Sequence, residues 1–94
     1  MSDRTNKIAE IKGKLGSDNP DTRAQGILAL ARCGISDPDL VEPLVNDTEP
    51  FMFGVPVLVL ANAYLQLIGE ARYEGIWADM VDAETEDLRR AWNS

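Results

Sequence analysis

Ala24-Gln25-Gly26-Ile27-Leu28-Ala29-Leu30-Ala31-Arg32-Cys33-Gly34 decides how this chain folds. Ala24, Ile27, Leu28 and Ala31 recur at helical spacing and form one apolar stripe, broadened by Leu30. Ser17-Asp18-Asn19-Pro20-Asp21 lies just ahead of it. Asn19 suits a cap on the exposed amides, Pro20 suits the first helical position, and Asp21 is favourable in the first turn. Gly34 is a natural stop. A helix from about Pro20 to Cys33 follows from these signals.

Upstream, Ile8, Ile11 and Leu15 fall on one helical face, so a first helix is predicted over about Asp3 to Leu15. Lys12 and Lys14 suit the negative pole of its dipole, and Gly16 ends it. Downstream, Ser36-Asp37-Pro38-Asp39 repeats the start signal. A short third helix, about Pro38 to Val45, carries Leu40, Val41, Leu44 and Val45 on its apolar face. Pro43 sits beyond the first turn and removes a backbone bond, so this helix is expected to be bent or partly 3₁₀.

Asp47-Thr48-Glu49-Pro50 opens the next element. From Pro50 to Gly69 is 20 residues, against 15 from Pro20 to Gly34. The surplus is Phe51-Met52-Phe53-Gly54-Val55, read as a turn of helix before a break or as an apolar loop. A helix from about Pro56 to Ile68 follows, apolar nearly all round and therefore central. No period-two pattern favours a strand; Val55 to Leu60 comes nearest, and its proline counts against it. Ile76, Trp77, Met80 and Val81 repeat the apolar pattern of Leu40, Val41, Leu44 and Val45 at an offset of 36. A fifth helix is thus predicted near Tyr73 to Val81. A last one, about Thr85 to Trp92, has Thr85 as its cap and Leu88, Ala91 and Trp92 on one side.

These leucine-bearing first helices, Asp-x-Pro or Asp-x-x-Pro turns, and second helices closing on Ala-x-Cys-Gly or Gln-Leu-Ile-Gly resemble HEAT-like repeats of the short, phycobilisome-lyase type. The resemblance covers most of residues 8–92. It implies an all-α fold, a short α-α superhelix of stacked antiparallel helix pairs with about five to six helices. The whole of residues 1–94 is then a single HEAT-like helical-repeat domain. The steps from Ile11 to Leu40 and from Leu40 to Ile76 are 29 and 36 residues, shorter than the roughly 40–47 of typical HEAT and armadillo units. HEAT-like repeats usually place an arginine early in the second helix, and Arg23 stands there in the first copy. The second copy offers Phe53 or Val57.

Charge is uneven along the chain. Residues 1–34 carry six basic and four acidic side chains, and residues 35–94 three basic and twelve acidic, so the net −7 is +2 set against −9. An acidic chain is repelled by phosphates, which disfavours direct binding to DNA or RNA. The acidity suits either a solvated face or a surface that docks on a basic partner. No apolar run approaches the ~20 residues that span a membrane. The polar start Met1-Ser2-Asp3-Arg4-Thr5-Asn6-Lys7 is unlike a signal peptide. Cys33 is the single cysteine, expected as a small buried thiol, and a cytoplasmic location is expected.

The chain has no histidine, no phosphate-binding glycine loop and no cysteine–histidine constellation. Asp18, Asp21, Asp37 and Asp39 sit where helices begin, as capping requires. No catalytic residue, cofactor or metal site is expected. The expected function is a non-catalytic protein–protein interaction module built from two to three helix pairs. The alternatives are an acidic inhibitor or immunity-type protein that blocks a basic, nucleic-acid-handling partner, and a small-molecule or pigment-handling module beside Tyr64 and Trp77. Phe51, Met52, Phe53, Val55 and Trp92 are the candidate interface. Phe51 and Phe53 either plug the space between helices or grip a partner. Trp77 is assigned to the core. Trp92 is either a lid on the last helices or a dimer contact. The partner is a protein, and self-association is also expected.

Overall fold

A computed structural model describes residues 2–93, with side chains from Asn6 to Trp92. The chain is mostly helical and holds five α-helices and one small two-stranded sheet among the described residues. In order these are α1 (Ser2–Leu15), α2 (Pro20–Arg32), α3 (Pro38–Val41) continuing into a 3₁₀ turn (Glu42–Leu44), β1 (Pro50–Met52), β2 (Val55–Pro56), α4 (Val57–Leu67) and α5 (Ala78–Asn93).

The local signals explain the first half. The Asn19 side chain accepts from the Asp21 amide at 2.9 Å, and Pro20 opens α2. Pro43 lies within the 3₁₀ turn, as its missing donor demands. Helices α2 and α4 end in the same motif. After α2 the amides of Gly34 and Ile35 donate back to the carbonyls of Ala31 and Leu30; after α4 those of Gly69 and Glu70 donate to Gln66 and Leu65.

One apolar core joins the elements. Ile11 and Leu15 of α1 meet Ala24, Ile27, Leu30 and Ala31 of α2, and Val57, Leu60, Tyr64 and Leu65 of α4 lie at its middle. Helix α4 has seven buried residues, as expected of a central element. Helix α1 packs on α2 and touches α3, while α2 and α4 pack together. Helix α5 lies against both α4 and α2, so it closes the stack.

Four expectations are corrected. First, Phe51 to Val55 is neither helix nor loop. It belongs to a β-hairpin, with Pro50 opposite Pro56, Met52 opposite Val55, and an irregularity between Pro50 and Met52. Second, the two helices predicted over Tyr73–Val81 and Thr85–Trp92 are replaced by the single helix α5, Ala78–Asn93, and Tyr73 to Trp77 are not helical. No glycine or proline stands between Val81 and Thr85 to break it. Thr85 is therefore no cap. It takes a place on the buried stripe with Val81 and Leu88, and its hydroxyl donates to the Val81 carbonyl at 2.7 Å. Third, Cys33 is exposed. It lies nine residues past Ala24, about two and a half turns on, and so faces away from the stripe. Fourth, Ile76 leaves the core entirely and is 93% exposed.

Candidate functional site

The hairpin is built on a clamp. The Arg23 guanidinium, 7% exposed, donates through Nε to Asp47 at 2.9 Å, through Nη2 to Glu49 at 2.6 Å and through Nη1 to the Ser17 carbonyl at 2.8 Å. Burial pulls the Arg23 pKa down, but the hydrogen bonds and charges of Glu49 and Asp47 outweigh it, leaving the value raised. Asp47 also accepts from the Glu49 amide at 3.0 Å. The carbonyls of Asp47 and Glu49 take the amides of Leu58 and Val57 at 2.8 and 2.9 Å. One buried cation of α2 thus fixes the segment from which the hairpin departs and the first turn of α4 to which it returns.

The hairpin turn is Phe53-Gly54, and both residues have positive φ, 50° and 77°. Two such residues in succession make the tight connection that matches strand twist. Gly54 meets this requirement without a Cβ, whereas phenylalanine in that region costs about 1 kcal/mol. Phe53 is also 97% exposed and Met52 53% exposed. Phe51 and Val55 are half-buried and pack against the core. The five residues thus divide: Phe51 and Val55 anchor, while Met52 and Phe53 project.

The projecting tip stands between two hollows. One, of about 290 Å³, lies between the hairpin and α2 and is lined by Ala24, Leu28, Phe51 and Met52 with Asp21 and Gln25. The other, of about 260 Å³, is lined by Thr48, Pro50, Gly54, Pro56, Leu58 and Trp77. Trp77 reaches it from the connection between α4 and α5. Within that connection the Tyr73 ring lies where a Cβ on Gly75 would stand, and the Tyr73 hydroxyl accepts from the Trp77 amide at 3.4 Å. The Gln66 side chain holds both ends: its carbonyl accepts from the Tyr73 amide at 3.3 Å, and its amide donates to Asp82 at 2.8 Å and Thr85 at 3.2 Å. Ile76 is presented outward beside Trp77.

Trp77, assigned to the core, is half-buried: it packs on the core and lines this groove. Trp92 also packs against the core and lines a separate cavity with Ser36, Leu67, Ile68 and Arg89, away from the hairpin. Trp92 is thus half-buried near the end of α5. Ile76 was missed as a surface residue. The Phe53-Gly54 pair, flanked by Phe51, Met52 and Val55, was the hairpin signal available in the sequence.

Tyr64 is fully buried. Its hydroxyl donates to the Ile35 carbonyl and accepts from the Asp37 amide at 3.0 Å, and burial pushes its pKa up. Among the described residues no helix is long and apolar enough to cross a membrane. No group of three or more histidine, cysteine or carboxylate side chains could hold a metal ion among them either. The chain matches no protein-family model, no curated protein and no solved structure.

Proposed function

We propose that this chain is a non-catalytic protein–protein interaction module whose contact residues are Phe53 and Met52 at the hairpin tip. The carrying observation is Phe53. A large aromatic ring almost wholly in water contributes no burial to the fold, and its left-handed backbone costs the isolated chain about 1 kcal/mol. Burying such a ring against a partner recovers about 1.5–3 kcal/mol. Exposed aromatics of this kind mark interaction sites and become the anchors of interfaces. The HEAT-like resemblance supports the same function, because stacked helix pairs present surface. Arg23 stands in the arginine place of that repeat and reaches forward to the start of the next copy.

A photo-crosslinking amino acid at position 53 tests this in cells that make the protein naturally. A discrete covalent adduct should form at position 53 and not at exposed Glu10 on α1. Equal labelling at both positions sinks the proposal. The acidity of residues 35–94 favours a second function, inhibition of a basic partner. The small-molecule alternative loses one of its two walls, since the Tyr64 ring is buried and its hydroxyl engaged.

A further inference from the structure

The groove beside the hairpin has no charged lining: Thr48, Pro50, Gly54, Pro56, Leu58 and Trp77 enclose about 260 Å³. Glu74 and Asp79 are exposed and lie three and two residues from Trp77 in the chain, while Glu49, next to Pro50, is paired with Arg23. Arg72 is the one basic residue between Ile35 and Asp79. Arg89 and Arg90, further along α5, are paired with Glu86 and Asp87. Arg23 offsets Asp47 and Glu49 at the base of the hairpin, and the excess of acid over base in residues 35–94 lies in the rest of that segment.

We infer that the groove receives an apolar side chain from a basic protein segment, with Phe53 lying over the seated chain. This rests on the interaction function proposed above and names its partner's chemistry. Charge selects this occupant over a second copy of the chain. A two-fold interface opposes a patch to itself. It would bring Glu74 and Asp79, beside Trp77 in the chain, toward their own images while the groove was losing water, and like charges across a drying contact oppose association. A segment carrying lysine or arginine beside its apolar residue reverses that sign. It also gains from steering, because the −9 of residues 35–94 draws it in. Nucleic acids and anionic membrane surfaces are repelled by the same field.

The test uses Trp77 as reporter, in a Trp92→Phe chain where it is the remaining tryptophan. The probes are three amphipathic helical peptides of about 14 residues. One has lysines on its polar face and leucines on the other, the second replaces lysine with glutamate, and the third replaces leucine with serine. Trp77 emission should shift to the blue and saturate with the lysine–leucine peptide alone. Raising salt from about 0.05 to 0.3 M should weaken that binding about tenfold, as screening of exposed charges requires. Phe53→Asn, which adds no charge, should weaken it further. In the unaltered chain the Trp77 indole resonance should move on titration, which serves if Trp92→Phe fails to fold.

An equal response to the glutamate–leucine peptide overturns the charge selection and leaves the interaction function standing. An equal response to the lysine–serine peptide overturns the groove. A dimer in sedimentation that Phe53→Asn dissolves assigns the surface to a second copy and overturns the inference. No response to any peptide overturns it also, whereas failure of the interaction function appears separately, as absent crosslinking at position 53.

Discussion

Helices α2 and α4 finish in the same hydrogen-bonded motif, yet the chain leaves them in opposite ways. After α2 the residue beyond the glycine is Ile35, which turns into the core at 5% exposure. Tyr64 grips both sides of it, at the Ile35 carbonyl and the Asp37 amide, and α3 starts at once with Pro38. After α4 the corresponding residue is Glu70, which faces water. With no apolar residue to pin it, the chain runs on to Ala78 before helix resumes, and Ile76 ends in solvent. Val41 and Trp77 match in the pattern, but Val41 is fully buried and Trp77 is left beside a groove. The two helix stops are alike, while the chain beyond them turns inward at Ile35 and outward at Glu70.

The contrast between a pinned junction and an open one can be broken from either side. The largest effect is expected at the clamp. Arg23→Met leaves Asp47 without its cation and should cost about 3 kcal/mol, the low end for breaking a buried pair because Glu49 remains solvated. Urea denaturation measures this, and a loss within about 0.5 kcal/mol would show that the ion pairs are ornamental. Next is Tyr64→Phe, which strands the Ile35 carbonyl and the Asp37 amide and should cost about 2 kcal/mol. Because burial raises the Tyr64 pKa, its neutral form is favoured in the fold. Stability is therefore intact below the ordinary tyrosine value and falls as pH rises through the folded one. A pH series of thermal melts should show this alkaline loss in the parent and a smaller one in Tyr64→Phe.

The open side should behave in the reverse sense. Phe53→Asn replaces a phenylalanine on a left-handed backbone with a residue that tolerates it, and should stabilise the chain by about 1 kcal/mol. The same variant should lose its partner. A lower melting temperature for Phe53→Asn would mean that the ring stabilises the free chain and is not held in reserve. The smallest effect is expected at Glu84, whose pKa is raised by burial and then by Asp87. Its charge opposes folding, so stability on this account is greatest in acid and declines as pH rises through the folded value. Glu84→Gln should gain no more than about 0.5 kcal/mol at neutral pH and nothing in acid. A gain that persists in acid would assign it to helix propensity.

The regular half of the fold was legible from sequence because its signals are local. Asn19-Pro20, Gly34 and Pro38 each act on the turn next to them, and Pro43 announced its own 3₁₀ geometry. Helix α4 was legible as central because it has no polar face. What escaped depends on contacts made elsewhere. Ile76 carries the same pattern as Leu40, but Ala71 to Gly75 lack the Asp37-Pro38 start that sets α3, and Glu70 stands where the first junction has Ile35. Thr85 looks like a cap by residue type, but its hydroxyl satisfies the Val81 carbonyl within a continuous helix. The segment Phe51 to Val55 is legible as a departure from the helix pattern, yet which of its side chains point outward follows from a strand alternation too short to detect by period. Arg23 is legible as a charge next to the apolar stripe of α2, while its carboxylate partners lie 24 and 26 residues away.

Proline faces proline across the hairpin, Pro50 opposite Pro56. Neither can donate a backbone hydrogen bond, and together they blunt a strand pair that is already very short. An incoming extended chain finds too few amide donors to build a ladder. The apolar tip can therefore stand in water without offering a template for fibrils, so the two prolines at the base of the hairpin also act as gatekeepers against cross-β growth.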